Sequence, residues 1–330
     1  MSSRNRHVIA VVALVPVLAA LALWAFAWPA SRIAPRDLPL GVAGPPAAAA
    51  QVEKQLERHE GAFEIHRYAD GTAARDAIED RSVYGAVVVT QQGPELLTAS
   101  AAGPAVAQFL QQAVGQQAAA GGAQVKTVDV VPSPDSDPRG AALSAAVLPL
   151  ALAGIAAGAV VTLLGLRGVR AALALLGASA LVGAAAAGIA HSWLGALGGD
   201  WWAEAGVLAL STLAVGGAVA GLAALVGPAG TGIAAAVVML IGNPFSGATS
   251  APQMLPEPAG AIGQWLPPGA GTTLLRSVSS FDGAAATGPA LTLTWWAVLG
   301  LGAVLLGGSL KARRTGSEPA GQQRELSAVA

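Results

Sequence analysis

Six apolar runs with almost no charged residues constrain the possible folds of this chain more than any other feature of its sequence. A helix needs about 20 apolar residues to cross a bilayer. Only 11% of the residues are charged, whereas soluble domains contain about 25%. The sequence therefore predicts an α-helical membrane protein with six transmembrane helices. The runs are Val8–Trp28, Leu143–Leu166, Val169–Ala190, Gly206–Val226, Thr231–Gly242 and Pro289–Leu310, of which the fifth is short.

The first run follows a basic head at residues 1–7 and has two interpretations. Its length, and the tryptophans Trp24 and Trp28 near its end, favour an uncleaved transmembrane helix at residues 8–28, because tryptophan concentrates at membrane interfaces. A cleaved signal peptide is the alternative, since Ala25, Phe26 and Ala27 fit the small-x-small cleavage pattern. Both interpretations predict that the segment after this run is exported.

Residues 29–142 predict a separate extracytoplasmic α/β domain inserted between the first and second spans. Strand-like and helical patterns alternate along this segment, which favours an α/β layer with parallel strand pairing. The mixed charges of Asp70–Arg81 predict a solvated helix face, with a catalytic carboxylate pair as the alternative. A polar linker, Ser133–Gly140, ends the segment. The predicted strands are Leu38–Gly44, Phe63–Tyr68, Tyr84–Thr90, Glu95–Ala99 and Gln124–Val131.

Residues 143–310 predict a membrane domain of five helices. Glycine and alanine recur there every three or four residues, as in Gly154 with Gly158 and Gly183 with Ala187. Small residues allow helices to approach closely in lipid, so this pattern predicts helix packing. The runs contain no ionisable residue at depth, which argues against a carrier driven by protons or sodium. Any transport is then driven from elsewhere, and the substrate is expected to be hydrophobic or lipid-like.

Basic residues at the ends of the runs predict the orientation in the membrane. The loop His191–Ala205 contains Asp200 and Glu204 but no lysine or arginine. The positive-inside rule therefore predicts a multi-pass plasma-membrane protein with both termini, including a polar tail at 311–330, in the cytoplasm. The basic residues on the predicted cytoplasmic side are Arg4, Arg6, Arg167, Arg170, Lys311, Arg313 and Arg314.

Several kinds of chemistry are excluded by composition and motifs. The chain has no cysteine, so neither disulfides nor thiolate metal sites can form, and its four histidines lack metal-ligand spacing. A formal net charge of −1 argues against a generally basic nucleic-acid-binding protein. No Walker A motif and no GxSxG motif occurs. The sequence therefore predicts no enzyme, metal or cofactor in this chain.

The proline-rich stretch Asn243–Arg276 lies between the last two runs. Proline prevents it from forming one straight helix, yet Trp265, Leu266, Leu274 and Leu275 are too apolar for a simple linker. A segment of this kind lies at the membrane surface or re-enters the membrane. We therefore predict an outward proline-rich hairpin at residues 243–288.

Two stretches resemble the permease half of ABC type-2 exporters, within the branch that has an exported domain after the first span and includes phage-infection-protein-like membrane proteins. DGTAARDAIEDRSVYGAVVVT, at Asp70–Thr90, is similar to part of the exported domain of that family. NPFSGATSAPQMLPEPAGAIGQWLPPGAGTTLLRS, at Asn243–Ser277, is similar to its segment between the last two spans, an outward hairpin that caps the path. The matching hairpin residues are Asn243, Pro244, Pro252, Pro256, Pro267, Gly269 and Arg276.

The resemblance implies a permease that moves its substrate with a separate ATP-binding ATPase subunit and acts as a homodimer or heterodimer of permeases. Arg167 and Arg170 are the candidate ATPase contacts, with a role as orientation signals alone as the alternative. The family usually has longer cytoplasmic segments than the loop Gly165–Ala171. The alternative function is a non-transporting envelope protein whose exported domain scaffolds or binds a partner.

Overall fold

The computed structural model describes residues 3–120, 122 and 124–316. Of the predicted tail at 311–330, residues 311–316 continue the last helix and the rest lies outside the described residues. Helices alternate with strands in the first 130 residues, and helices alone follow. Short π-helical turns at Gly188–Trp193 and Val238–Gly242 continue the sixth and eighth helices. The elements are α1 (Ser3–Ala30), β1 (Leu38–Ala43), α2 (Pro46–Leu56), β2 (Phe63–Tyr68), α3 (Gly71–Glu79), β3 (Gly85–Thr90), β4 (Gly93–Thr98), α4 (Pro104–Ala120), β5 (Lys126–Asp129), α5 (Ala141–Leu163), α6 (Gly168–Ala187), α7 (Trp201–Val226), α8 (Pro228–Val237), α9 (Ala259–Gln264), α10 (Pro267–Ser280) and α11 (Thr287–Gly316).

Five helices among the described residues are long and apolar enough to cross a membrane. The fifth predicted span, Thr231–Gly242, instead lies in a shorter apolar helix, Pro228–Gly242. Its 10 α-helical residues are followed by a π-helical turn of 5. At about 1.5 Å per residue this segment is about 22 Å long, less than the hydrocarbon thickness of about 30 Å. The five long spans are Val12–Ala30, Ala141–Leu163, Gly168–Trp193, Trp201–Val226 and Thr287–Ser309.

A mixed five-stranded sheet forms the domain between the first and second spans. Its strand order is β2-β1-β3-β4-β5. The predicted parallel pairing is confirmed for β1 with β2 and β3 and for β4 with β5, but β4 is antiparallel to β3. Only Gln91 and Gln92 separate β3 from β4, and a connection this short can join only antiparallel strands. The fourth and fifth strands also begin two residues away from their predicted starts.

Two apolar layers sandwich the sheet. On one face, Leu40, Val87 and Leu96 pack against α2 and α4. On the other face, Val88 and Leu97 pack against α3. Helix α3 begins at a well-formed cap, because Asp70 Oδ1 accepts hydrogen bonds from Thr72 N and Ala73 N, both at 2.9 Å. We call the unit from β1 to β5 the sheet domain.

Helix α7 lies at the centre of the membrane bundle and contacts α5, α6, α8, α10 and α11. Glycines make these contacts close, as the sequence predicted. A Cβ atom at Gly158 of α5 would lie 2.6 Å from Gly216 O, and one at Gly183 of α6 would lie 2.4 Å from Ala205 O. The backbones of α5 and α6 therefore contact the backbone of α7, so the predicted packing role of these two glycines is confirmed.

The bundle has two different ends. The domain end contains the first residues of α5, α7 and α11 and the last residues of α6. The far end contains the α5–α6 turn and the α7–α8 turn at Gly227. Helix α1 contacts the π-helical turn Val238–Gly242 of the bundle, and near its own last turn Trp28 lies 6.0 Å from Phe245 between ring centroids. Its apolar side chains from Val12 to Leu23 are largely exposed.

Candidate functional site: the hairpin between the bundle and the sheet domain

Residues 243–286, which we call the hairpin, lie between the membrane bundle and the sheet domain. They contain a 3-10 turn at Pro252–Met254 and the helices α9 and α10. Their backbone segments approach too closely for intervening side chains. A Cβ atom at Gly263 would lie 1.7 Å from Phe245 O, and one at Gly260 would lie 2.1 Å from Pro252 O. The hairpin is therefore a compact folded unit.

Helix α10 anchors the hairpin at the domain end of the bundle. Ala270, Leu274 and Leu275 are buried in a cluster with residues of α6, α7 and α11. A Cβ atom at Gly271 would lie 2.7 Å from Ser211 Oγ of α7. The helix begins at Pro267, in the first turn, where the missing N–H of proline removes no helical hydrogen bond.

Most of the other predicted hairpin residues shape its backbone. Pro252 begins the 3-10 turn, and Pro256 O accepts a hydrogen bond from Ala259 N at 2.7 Å. Asn243 O accepts one from Ser246 Oγ at 2.7 Å, and Pro244 follows directly in the same turn. Gly269 brings α10 close to α9, because a Cβ atom there would lie 2.2 Å from Gly263 O. These five residues lie in one unit but do not converge on an open cavity.

Arg276 is the charged member of the predicted set, and it is buried with 4% of its surface exposed. Its Nη2 donates to Ala248 O at 2.6 Å, and its Nη1 donates to Gly247 O at 3.4 Å. Ser144 Oγ of α5 donates to the same Ala248 O at 2.8 Å. Burial lowers the pKa of Arg276 to about 10, which leaves it charged at neutral pH. Arg276 thus ties α10 to a loop that also binds α5.

Arg81 of the sheet domain binds the same helix from the other side. Its Nη1 donates to Thr273 O at 3.0 Å and to Ser277 Oγ. Its guanidinium carbon lies 5.2 Å from the ring centroid of Phe281, a cation–π geometry. Burial lowers the pKa of Arg81. The prediction of a fully solvated helix face was therefore wrong for Arg81, whose partners lie almost 200 residues later in the chain.

The 3-10 turn of the hairpin forms a second connection to the sheet domain. Tyr84 Oη donates to Gln253 Oε1 at 2.9 Å, and Arg36 N donates to Gln253 O at 2.9 Å. Burial raises the pKa of Tyr84. Met254 is buried in the core layer formed with α2 and α4, and Phe281 is buried in the layer formed with α3. The hairpin therefore completes the apolar core on both faces of the sheet.

A buried carboxylate lies beside the hairpin at the domain end. Glu204 is fully buried, its Oε2 lies 2.8 Å from His191 Nδ1, and its Oε1 accepts a hydrogen bond from Gly199 N at 2.8 Å. The prediction that placed Glu204 in the loop His191–Ala205 was wrong, because α7 begins at Trp201 and includes Glu204 in its first turn. Asp200 caps this earlier start by accepting a hydrogen bond from Ala203 N at 2.8 Å. The signal of an Asp cap with Glu in the first turn was present in the sequence.

The two candidate ATPase contacts lie at the far end, away from the hairpin. Arg167 and Arg170 are both exposed, and Arg167 is the residue before α6. Arg167 also lines a cavity of about 200 Å3 with Gly227 of the α7–α8 turn and Gly308 of α11. The predicted site residues therefore form two groups at opposite ends of the bundle.

No group of three or more acidic or histidine side chains among the described residues could hold a metal ion. The hairpin site consists of backbone carbonyls, hydroxyls, the buried guanidinium group of Arg276 and the partly buried one of Arg81, an arrangement that connects the two units mechanically. Comparisons of the chain with protein-family models, curated proteins and solved structures found no match.

Proposed function

We propose that this chain is the permease subunit of an ABC type-2 exporter, which moves a hydrophobic or lipid-like substrate outward with a separate ATPase subunit. One observation carries the proposal: the hairpin rests on α6, α7 and α11 and at the same time closes both core layers of the sheet domain. A displacement of the bundle would therefore move the sheet domain as well. The resemblance of Asn243–Ser277 to the outward hairpin of that family supports the same function.

Packed helices connect the far end of the bundle to the hairpin and can transmit a displacement between them. Helix α7 runs from the cavity beside Arg167 to the domain end, and its neighbours meet it through glycine contacts. Closely packed elements transmit displacement because they compress little. Arg276 and Arg81 then connect α10 to the neighbouring loop and to the sheet domain. Nucleotide hydrolysis on a partner at the far end could thus act on the outward-facing unit.

The proposed orientation has the far end in the cytoplasm and the sheet domain outside. The exposed arginines Arg167 and Arg170 at the far end support it. Pro228–Gly242 then acts as a short sixth crossing. A Cβ atom at Gly230 would lie 2.4 Å from Leu222 O near the far end, and one at Gly242 would lie 2.9 Å from Pro268 in the hairpin. Both termini are then cytoplasmic in a plasma membrane.

Single-cysteine labelling tests this orientation, because the chain has no cysteine of its own. Gln92→Cys and Gly198→Cys are expected to react with a membrane-impermeant thiol reagent in intact cells, since both positions are exposed on the sheet-domain side. Ala229→Cys, exposed in the first turn of α8 at the far end, is expected to react only after permeabilisation. Labelling of Ala229→Cys in intact cells would contradict the orientation, and denatured protein provides the control for equal reactivity.

Replacing Arg167 and Arg170 together with glutamine tests the ATPase contact. Co-purification of a nucleotide-binding subunit is expected to fall at least about tenfold, the effect of losing about 1.4 kcal/mol of binding. Substrate-stimulated ATP hydrolysis should fall with it. Arg58→Gln with Arg139→Gln, two exposed arginines of the sheet domain and its linker, is the charge-matched control and should leave both measurements unchanged.

The short far-end turns favour a second candidate function, a non-transporting envelope protein whose exported domain scaffolds or binds a partner. Only Leu164–Arg167 separates α5 from α6, and only Gly227 separates α7 from α8. Mild solubilisation from the native host decides between the two functions. Recovery of a nucleotide-binding subunit, with the permease as a homodimer or heterodimer, supports the exporter, and its absence favours the scaffold.

A further inference from the structure

The strand order of the sheet domain reverses at one point, and such a point is a common place for a ligand site. From β1 the chain passes through α2 on one face to β2, and from β2 it passes through α3 on the other face to β3, on the opposite side of β1. The carboxyl ends of β1 and β3 are therefore neighbours, and the chain leaves them in opposite directions along the sheet, from β1 through α2 to β2 and from β3 through Gln91 and Gln92 to β4. In open α/β sheets, ligands bind in the crevice at such a point.

A groove of about 350 Å3 is present at this place, between α2 and α4. Val87 and Val89, at the carboxyl end of β3, line it together with Val52 of α2 and Val114 of α4. Its volume lies in the range of small-molecule sites, about 300–1,000 Å3. The groove and the reversal of the strand order thus coincide at the carboxyl end of β3.

The hairpin leaves this end of the sheet open. Ala34 N and Arg36 N, just before β1, bind the hairpin backbone at Met254 O and Gln253 O. Met254 therefore fills the core layer at the amino end of β1. The groove lies on the same face of the sheet, at the opposite end, where the carboxyl end of β3 lies. It remains open to solvent with the hairpin in place.

The lining of the groove determines what chemistry it can accept. None of the described side chains that line it is ionisable. The polar members are the glutamines Gln51, Gln55 and Gln117, and Gln117 Nε2 donates to Gln55 Oε1 at 2.8 Å, which connects its two helical walls. A carboxylate or ammonium group between the valines would lose its hydration without gaining an ion pair, and one at the exposed glutamines Gln51 and Gln117 would meet no opposite charge in the lining. Apolar walls and carboxamide groups instead complement a hydrocarbon chain with an uncharged polar end.

We propose that this groove binds a single neutral hydrocarbon chain, with its uncharged hydroxyl or ester end at the glutamines. The valines then cover the methylene groups, and the carboxamides supply hydrogen-bond donors and acceptors. The site belongs to the sheet domain alone. It therefore exists whether or not an ATPase partner drives the chain.

The test uses the full chain in lipid nanodiscs with a long-chain alcohol that has a photoactivatable group in its chain. Mass spectrometry should locate crosslinks on the segments that contain Val52, Val89 and Val114, and unlabelled alcohol should compete for them. The matched carboxylate probe at neutral pH should label these segments less, because an ionised carboxylate finds no ion pair in the lining and is costly to bury between the valines. Absence of saturable labelling in the groove, or equal labelling by both probes, overturns the proposal.

Two neighbouring substitutions on α4 provide the matched control. Ala118 lines the groove, whereas Ala119 is exposed beside it. Ala118→Trp should fill the groove and lower saturable labelling at least about tenfold, as expected when an apolar site is occupied by its own side chain. Ala119→Trp should leave labelling unchanged. Ala48→Phe fills the groove from α2 and replaces Ala118→Trp in the test if that variant lowers the melting temperature. Undiminished labelling of a groove-filling variant that is correctly folded contradicts the proposal.

Discussion

Replacing Gly300 with alanine should sharply destabilise the membrane bundle, whereas the same substitution at Gly302, two residues later in α11, should not. A Cβ atom at Gly300 would lie 2.3 Å from the backbone carbon of Gly217 in α7. A Cβ atom at Gly302 would meet nothing within 4 Å. The same methyl group therefore collides with a backbone at one position and lies in open space at the other.

The expected effect at Gly300 is large because backbone atoms cannot rotate away from the added methyl group. Overpacking costs about 1–3 kcal/mol even when side chains can adjust, so Gly300→Ala should cost at least the upper value. Alanine favours a helix over glycine by about 0.5–1 kcal/mol in water, so Gly302→Ala should be neutral or slightly stabilising. The two variants are thus expected to change stability in different directions.

Thermal unfolding of the purified full chain measures both effects under identical conditions. A cost of about 3 kcal/mol lowers the melting temperature by about 6–12 °C for a chain of 150–250 residues, and by somewhat less for a longer one. A second pair, Gly183→Ala and Gly177→Ala in α6, repeats the design, since a Cβ atom lies 2.4 Å from Ala205 O at Gly183 and in open space at Gly177. Equal melting of Gly300→Ala and wild type would contradict the α7–α11 contact.

The features that followed from sequence were those determined by local pattern. Apolar length identified the five long spans, and the spacing of Gly154 and Gly158 indicated a helix contact without naming its partner. The alternation of strand-like and helical patterns also located the sheet domain between the first two spans. These signals are local because a helix or strand presents its faces according to its own repeat.

Features that depend on distant residues could not be predicted. Arg81 follows a helix with charges of both signs, a pattern typical of a solvated helix end. Only the fold brings Arg81 to Thr273 and Phe281. The Glu204–His191 contact likewise needs the packing of α6 beside α7. The groove required the strand order and the antiparallel β3–β4 pair, neither of which the prediction of parallel strand pairing contained.

The hairpin contacts also change the expected stability of the sheet domain. Met254 and Phe281, both buried and both from the hairpin, belong to its two core layers. A fragment of residues 29–142 lacks both side chains and exposes the surfaces that they cover. The sheet domain should therefore depend for stability on residues that follow it by more than 100 positions.

Replacing Phe281 with alanine should loosen the sheet domain even though the substitution lies in the hairpin. Phe281 is 6% exposed, and truncating a buried phenylalanine costs about 3–5 kcal/mol. The amides of β3 should then exchange with deuterium faster in the full chain, because Val88 of β3 lies in the same core layer. Trp265→Ala is the control, since this hairpin side chain is 75% exposed and its removal should leave the exchange of β3 unchanged.

A double-mutant cycle with Arg81→Met assigns part of this effect to the cation–π contact. The guanidinium of Arg81 lies over Phe281, so the two substitutions should not be additive. A coupling of about 0.5–2 kcal/mol is expected for a contact of this kind. Additive effects would remove the cation–π contact from the connection but leave the buried ring and the hydrogen bonds of Arg81 to α10 in place. Unchanged exchange in β3 of the Phe281→Ala variant would contradict the connection itself, because a buried side chain shared by two units must stabilise both.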